Sequence, residues 1–411
     1  MRVKQTLLLI LFIALLSHVS SVLSEPKTLN LYLSADRTTT LTSTTSIEQG
    51  IRTALAEHNN QLGGFKVELI LLDHRGSTPR AKKHLHRYLQ DDNAIALFAG
   101  LHSPPLLATR ELINKEGILT LVPWAAAAPI SRYPSSHNWI FRLSIDDSKA
   151  GYVISRYAID AGGVRKPALL LEQTGWGKSN LHTMTDALKK RGLSPALVTW
   201  FNWGLSVESA RIQIREINQS GADAIFLVAN APEGKVISRA MVSLPKEERL
   251  PIYSHWGITG GDFPQVIDHS VRKQLQLAFI QTSFSFLGEL TTFQKNVLNN
   301  AKRLFPASIK QAHDIKAPTG FIHAYDLTQI LIAAAEQADL TGDIFAKRAA
   351  LRTTLEQLET PVKGLLKTYR QPFSPYSTND PDAHEALSIN DFVMARYGRE
   401  NEILLYPAVE F

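Results

Sequence analysis

The sequence predicts an α/β chain of two doubly wound parallel sheets. Three observations carry that expectation. Short apolar runs alternate with helical spacings along most of the chain. The alternation runs once to residue 123 and restarts at 139. Phrases rich in Gly, Pro, Ser and Trp fall at the ends of the apolar runs, where open α/β sheets hold their ligands.

In the first run, TLNLYLS (28–34) alternates apolar and polar residues as a strand does. Ile47, Ile51 and Leu55 recur at i, i+4 and i+8, predicting a helix over 46–58. KVELILLD (66–73) is the next strand, and Thr78-Pro79 is expected to start the helix after it. AIALFAG (94–100), a helix opened by Ser103-Pro104, and ILTLVP (118–123) complete a βαβαβαβ run. In the second run, strands are expected at 139–144, 167–173, 196–201, 223–230 and 251–257, with helices at 150–161, 179–191 and 206–219. Apolar strands spaced by helices are buried on both faces, which implies parallel pairing. A further strand (274–284) precedes helices at 289–304, 320–336 and 343–358. Short strands follow at 364–369, 389–397 and 402–407.

Residues 1–24 have the pattern of an export signal. Arg2 and Lys4 precede the apolar run 7–16, and a cut is expected between Ser24 and Glu25. Losing this leader lowers the formal charge of +6 by two, to a modest surplus. No clustered basic stripe with aromatics is present, so nucleic acid is not an expected partner. The chain has no cysteine, which excludes disulfides, thiolate metal sites, cysteine nucleophiles and a lipid-modified cysteine. A free periplasmic protein, expected as a monomer, is the reading these bounds favour.

The strand-end phrases carry the candidate chemistry. In FAGLHSPP (98–105), serine before proline is a helix-start signal. Such a turn leaves backbone N–H groups facing outward at a positive helix end, where an anion can settle. Ser103 is therefore either its own helix's cap or a ligand contact. Trp124, Trp176 and Trp256 lie in three different strand-end phrases, PWAAAAP, QTGWGKSN and SHWGITGGDF, which predicts a shared aromatic cleft.

IEQGIRTALAEHNNQLGGFKVELILLDHRGSTPRAKK, followed by ALFAGLHSPPLLATRELINKEGILTLVPWAAAAP, resembles the leucine/isoleucine/valine-binding family of periplasmic solute-binding proteins, the type I periplasmic binding proteins. The resemblance runs through the mature chain and implies two lobes, 26–143 with 279–361 and 144–278 with 362–411, joined by three crossovers with a ligand cleft between them. It implies that Leu101, His102 and Ser103 form the loop that binds a ligand carboxylate. It implies that Trp124, Ala125 and Ala126 match the loop offering oxygens to the amino group. By the same resemblance Trp176 stands at a tyrosine position, Asn230 at a second-lobe tyrosine and Trp256 at the glutamate that pairs with the ammonium.

Ala126 and Trp256 remove two side-chain oxygens that an ammonium would use, and a desolvated ammonium needs replacements. Asp262 and Glu233 are close enough in sequence to supply them. The three tryptophans point to an aromatic or heterocyclic ligand as well as to an amino acid. The implied function is capture of a small solute by hinge closure and delivery to an ABC-type membrane permease. A sensor protein is the alternative partner.

An exported enzyme is the rival from another class. Against it, Ser103 lacks a Gly-x-Ser-x-Gly setting. There is no P-loop or dinucleotide fingerprint, and His84 and His86 are two apart on a helix and face different directions. No catalytic residue, cofactor or metal ligand is expected. His255 borders the expected cleft as a possible ligand contact, His323 reads as a core histidine, and Asp73-His74-Arg75 as a loop-fixing ion pair.

Overall fold

A computed structural model describes residues 28–135 and 137–407. The expected leader, and its cut after Ser24, lie outside the described residues. The first sheet contains β1 (Thr28–Ala35), β2 (Gln61–Leu62), β3 (Phe65–Asp73), β4 (Ala94–Ala99), β5 (Thr120–Val122) and β6 (Ile140–Arg142). Its order is β2-β3-β1-β4-β5-β6, parallel throughout except for the β2–β3 hairpin. Every residue of β4 is buried, as a central strand covered on both faces requires.

The second sheet contains β7 (Pro167–Glu172), β8 (Leu197–Phe201), β9 (Ala224–Val228), β10 (Ile252–Ser254) and β11 (Leu277–Thr282). The late strands β14 (Phe392–Tyr397) and β15 (Ile403–Leu405) complete it. Its order is β15-β14-β11-β10-β9-β7-β8, with β14 and β15 antiparallel at one edge. β12 (Val362–Lys363) and β13 (Thr368–Tyr369) form a separate two-stranded ribbon. The expected boundary at 278/279 cuts β11, whose residues pair with β10 on one side and β14 on the other.

The helices follow the apolar spacing, with shifts at their starts. α1 (Leu41–Glu57) begins five residues before the expected point. α2 (Thr78–Leu89) is capped by Ser77 rather than Thr78. α3 (Ser103–Lys115), α4 (Asp147–Asp160), α5 (Gly175–Lys190), α6 (Val207–Gln219) and α7 (Ala231–Val242) connect the strands. α5 starts four residues early because Thr174 accepts from the Gly177 N–H and caps it there. The single turns α8 (Phe263–Val266) and α9 (His269–Arg272) lead into β11.

α10 (Thr292–Leu304), α11 (Pro318–Gln337) and α12 (Ile344–Glu356) return to the first sheet. α11 lies so close to α1 that a Cβ on Gly50 would stand 2.3 Å from the Phe321 carbonyl oxygen. From α12, Arg348 donates to the Ala94 carbonyl at the start of β4 (2.7 Å). His323 is fully buried in α11, with Nε2 2.8 Å from Thr282 Oγ1, and burial lowers its pKa to about 3.

A buried charge network ties the crossovers. Arg142 at the end of β6 donates through Nε to both carboxylate oxygens of Glu385 (2.9 Å each) and through Nη2 to Asp146 (3.0 Å). Arg132 binds Asp146 (2.6 Å) and Asp382 (2.5 Å), and Lys149 bridges the same two acids at 2.9 Å. Burial alone would raise the Asp146 pKa. The charges of Arg142, Arg132 and Lys149 overcome that and hold it far below the usual carboxylate range.

Candidate functional site

The carboxyl ends of both sheets meet in one cleft. From the first lobe it is lined by Leu101, His102 and Ser103 with the start of α3, and by Trp124 and Ala126 after β5. From the second come Glu172 at the end of β7, Trp176 in the first turn of α5, Asn230 before α7, and Trp256-Gly257 after β10. Eight of the ten expected ligand contacts are thus brought together, from segments 155 positions apart in numbering between Leu101 and Trp256.

The loop 101–103 departs from the helix-start reading. α3 begins at Ser103, so His102 occupies the cap position, and neither side chain caps the helix. Ser103 Oγ instead accepts from the Ala127 N–H at 3.2 Å, which joins the loop to the one after β5. Leu101 sits at φ +78°, a left-handed turn that a side chain adopts at a cost. Gly100 serves the sheet rather than a ligand, because a Cβ there would meet Ala35 Cβ at 2.9 Å. His102 Nε2 lies 3.0 Å from Asp36 Oδ2. Burial would raise Asp36, but its hydrogen bonds with His102 and Thr39 outweigh that and lower its pKa. His74, 6.2 Å from His102 between ring centres, is held near pKa 4 by burial and by that neighbour's charge.

The tryptophans do not form an open aromatic box. Trp124 and Trp256 stack on each other across the lobes, ring centres 4.4 Å apart at 17°. Trp176 is buried on α5, not in a loop, and its indole N–H donates to Asp147 Oδ1 (3.2 Å). Ser43 Oγ donates to the Gly260 carbonyl across the cleft at 2.6 Å, and the Ala128 N–H donates to Ser179 Oγ at 3.1 Å. What is left between the lobes is about 10 Å³, room for about one water.

Two expected contacts face elsewhere. His255 is fully buried, its Nε2 3.0 Å from Asp147 Oδ1 and its Nδ1 accepting from the Trp256 N–H. The Ala125 side chain is buried in the core, and its carbonyl accepts from Arg142. Neither acid suggested as an ammonium partner reaches the cleft. Asp262 is exposed and paired with Lys235 at 2.6 Å, and Glu233 accepts from the Gly204 N–H.

The carboxylate in the cleft is Glu172, which sequence reasoning missed. It accepts from Thr174 Oγ1 (3.0 Å) and Asn230 Nδ2 (2.8 Å), and no cation of the described residues lies within ion-pair distance. Burial raises its pKa, against hydrogen bonds from Trp203, Thr174 and Asn230 that lower it. The missed signal was a polar end to the apolar run PALLLE, which places an acid at the sheet's ligand edge. Asn230 orients this carboxylate rather than standing free in the cleft. Among the described residues, no three His, Cys, Asp or Glu side chains converge as a metal site.

A family profile described as "Periplasmic binding protein" matches residues 33–240, half of the chain. The chain belongs to that periplasmic binding protein family. An amino acid binding protein of Pseudomonas aeruginosa is 23% identical to this binding protein over 189 residues. That match spans 45% of this chain and 50% of the relative, so the chain covers about half of the relative's length.

Solved structures extend the likeness in fold. A type 1 periplasmic binding protein from Bordetella pertussis Tohama I has a TM-score of 0.77 at 16% identity, covering 93% of this chain and 100% of that one. A leucine binding protein from Thermotoga maritima reaches 0.70 at 15% identity, covering 92% and 98%. A solute binding protein of an ABC transporter from R. palustris, in complex with 4-hydroxybenzoate, reaches 0.73 at 15% identity, covering 93% and 96%. These establish the two-lobed type I fold read from the sequence.

Proposed function

We propose that this binding protein captures a small solute bearing an ammonium group, an amino acid or close analogue, and delivers it in the closed cleft to an ABC-type membrane permease. The observation that carries the reading is Glu172. It is a carboxylate buried at the meeting of both lobes, aimed by Asn230 and Thr174, with no lysine or arginine of the described residues in ion-pair contact and only the His102 ring acting on it across the cleft. A buried charge of that kind is costly alone and becomes favourable when a ligand cation pairs with it. The 101–103 turn and the N-terminal end of α3 supply oriented N–H groups for the solute's carboxylate.

In this reading the lobes are residues 28–142 with the α10–α12 segment, and 147–282 with β14 and β15. Solute enters when they part, which separates Trp124 from Trp256, and closure is the signal the membrane partner reads. The expected leader directs export to the periplasm. Binding, rather than catalysis, is the activity proposed.

The stacked tryptophans support a second ligand class, aromatic carboxylic acids, of the kind held by the R. palustris neighbour. A thermal-shift screen of the mature protein against amino acids, aromatic acids, amides and purines separates the two. A ligand present at a hundred times its Kd stabilises by about 2.7 kcal/mol. A hit among amino acids that disappears in Glu172→Gln supports the ammonium reading. Hits confined to ligands without an ammonium overturn it.

A further inference from the structure

The N-terminal ends of β10 and β11 point away from the cleft, and there the second lobe has a groove of about 430 Å³. That volume falls within the roughly 300–1,000 Å³ of small-molecule sites, and it far exceeds the space in the closed cleft. The end of α4, the turn α9, and strands β10, β11 and β14 wall it.

Its lining combines two chemistries. Tyr157, Tyr253, Tyr397 and Tyr406 supply aromatic surface. Tyr157 packs edge-on to Tyr253 at 6.1 Å and lies 5.3 Å from Tyr406, so three of the rings form one continuous wall. Arg272, Lys273 and Arg396 supply positive charge, and no aspartate or glutamate lines the groove. Tyrosine is suited to such a place because its ring packs against an apolar body while its hydroxyl stays available to polar groups.

Arg272 is the unusual member. It is only 7% exposed, and its Nη1 and Nη2 donate to the carbonyls of Pro264, Ile267 and Gly398 at 2.7–2.9 Å. Its guanidinium lies 5.4 Å from the Tyr397 ring centre. Its Nε is buried without a hydrogen-bond partner, and no carboxylate of the described residues forms an ion pair with it. Of the other buried arginines, Arg142 and Arg352 each meet a carboxylate, whereas Arg348 lies over Tyr88 and donates to the Ala94 carbonyl, away from this groove. A buried guanidinium with a spare donor, beside two exposed cations and a tyrosine wall, is a recognition surface for a planar anion.

We propose that this groove is a second binding site, separate from the cleft, for a small aromatic carboxylate. The ring lies against the tyrosines and the carboxylate faces Arg272, Lys273 and Arg396. The site does not depend on the proposed amino-acid function of the cleft.

Sodium benzoate is the probe, titrated into the mature protein carrying ¹³C-labelled tyrosine, with calorimetry for affinity and stoichiometry. Lys273→Glu/Arg396→Glu reverses two exposed charges, and Ser103→Ala/Glu172→Gln alters only the cleft. The expected result is saturable binding that shifts several tyrosine resonances, weakens at least tenfold in the charge-reversed variant and persists in the cleft variant. If the cleft also takes benzoate, the stoichiometry falls from two to one in the charge-reversed variant. Benzyl alcohol, which keeps the ring and lacks the charge, should bind at least tenfold more weakly. Absence of saturable binding at millimolar benzoate, or binding indifferent to the charge reversal, overturns the proposal. So does equal binding of benzyl alcohol.

Discussion

Two of the buried carboxylate sites in this molecule are treated in opposite ways. At the crossover, Asp146 and Glu385 are surrounded by Arg132, Arg142 and Lys149, so the acids are neutralised within the protein. In the cleft, Glu172 is held by hydrogen bonds from Asn230, Thr174 and Trp203, and no lysine or arginine of the described residues pairs with it. The environments move their pKa values apart, Asp146 downward and Glu172 upward. A charge that the fold balances serves the fold, and one left unbalanced at the meeting of two lobes is available to a ligand.

The largest test of that contrast is Arg142→Leu. It removes the fully buried cation bonded to both Glu385 and Asp146, leaving them only Arg132 and Lys149 nearer the surface, and breaking a buried pair costs about 3–5 kcal/mol. Urea denaturation reads this directly, and a loss under about 1 kcal/mol would show that the network is not the structural charge described here. Glu172→Gln should do the reverse, leaving stability equal or higher while removing about 1.5–3 kcal/mol of affinity for an ammonium ligand. Calorimetry on the ligand found by screening checks this, and unchanged affinity removes Glu172 from the site.

Acid separates the two groups further. Glu172 has a raised folded pKa, so its ionisation opposes folding, and the protein gains from this group as pH falls toward the ordinary glutamate value. Asp146 has a lowered folded pKa. Its contribution is complete above about pH 4 and is lost only as pH falls through the lower folded value. Ligand affinity should therefore decline on mild acidification while the fold persists, as binding and circular dichroism measured over one pH series would show. Simultaneous loss of both would end the distinction.

Smaller effects refine it. Ser103→Ala should weaken binding by about 1–2 kcal/mol, and because it also leaves the buried Ala127 N–H without its acceptor it should lower the melting temperature of the unliganded protein. Ser43→Ala removes the bond to the Gly260 carbonyl across the cleft and should favour the open form by about 1 kcal/mol. A larger radius of gyration in small-angle scattering of the unliganded protein checks it.

Much of the fold was legible. The βα alternation predicted both sheets because apolar strands and amphipathic helices declare themselves within a few residues. Element ends were less so. α5 begins at Gly175 because Thr174 caps it, and a threonine is an equally good residue for the loop expected there. The cleft was legible as a set of strand ends, and Leu101, His102, Ser103, Trp124, Ala126, Trp176, Asn230 and Trp256 converge there. The roles within it were not. Proximity in sequence suggested Asp262 and Glu233 as acids for the cleft, yet Lys235 and the Gly204 N–H take them.

What the sequence determined by itself is therefore local. It set the order of strands and helices, the turn at 101–103, and the absence of any cysteine chemistry. What the tertiary structure decided is which groups face one another. Sheet topology brings Glu172 to Ser103 and Asn230, stacks Trp256 on Trp124, and turns His255 away toward Asp147. Each partner lies tens of residues from the other, beyond the reach of any spacing rule. Their meeting depends on how two sheets close over a shared edge.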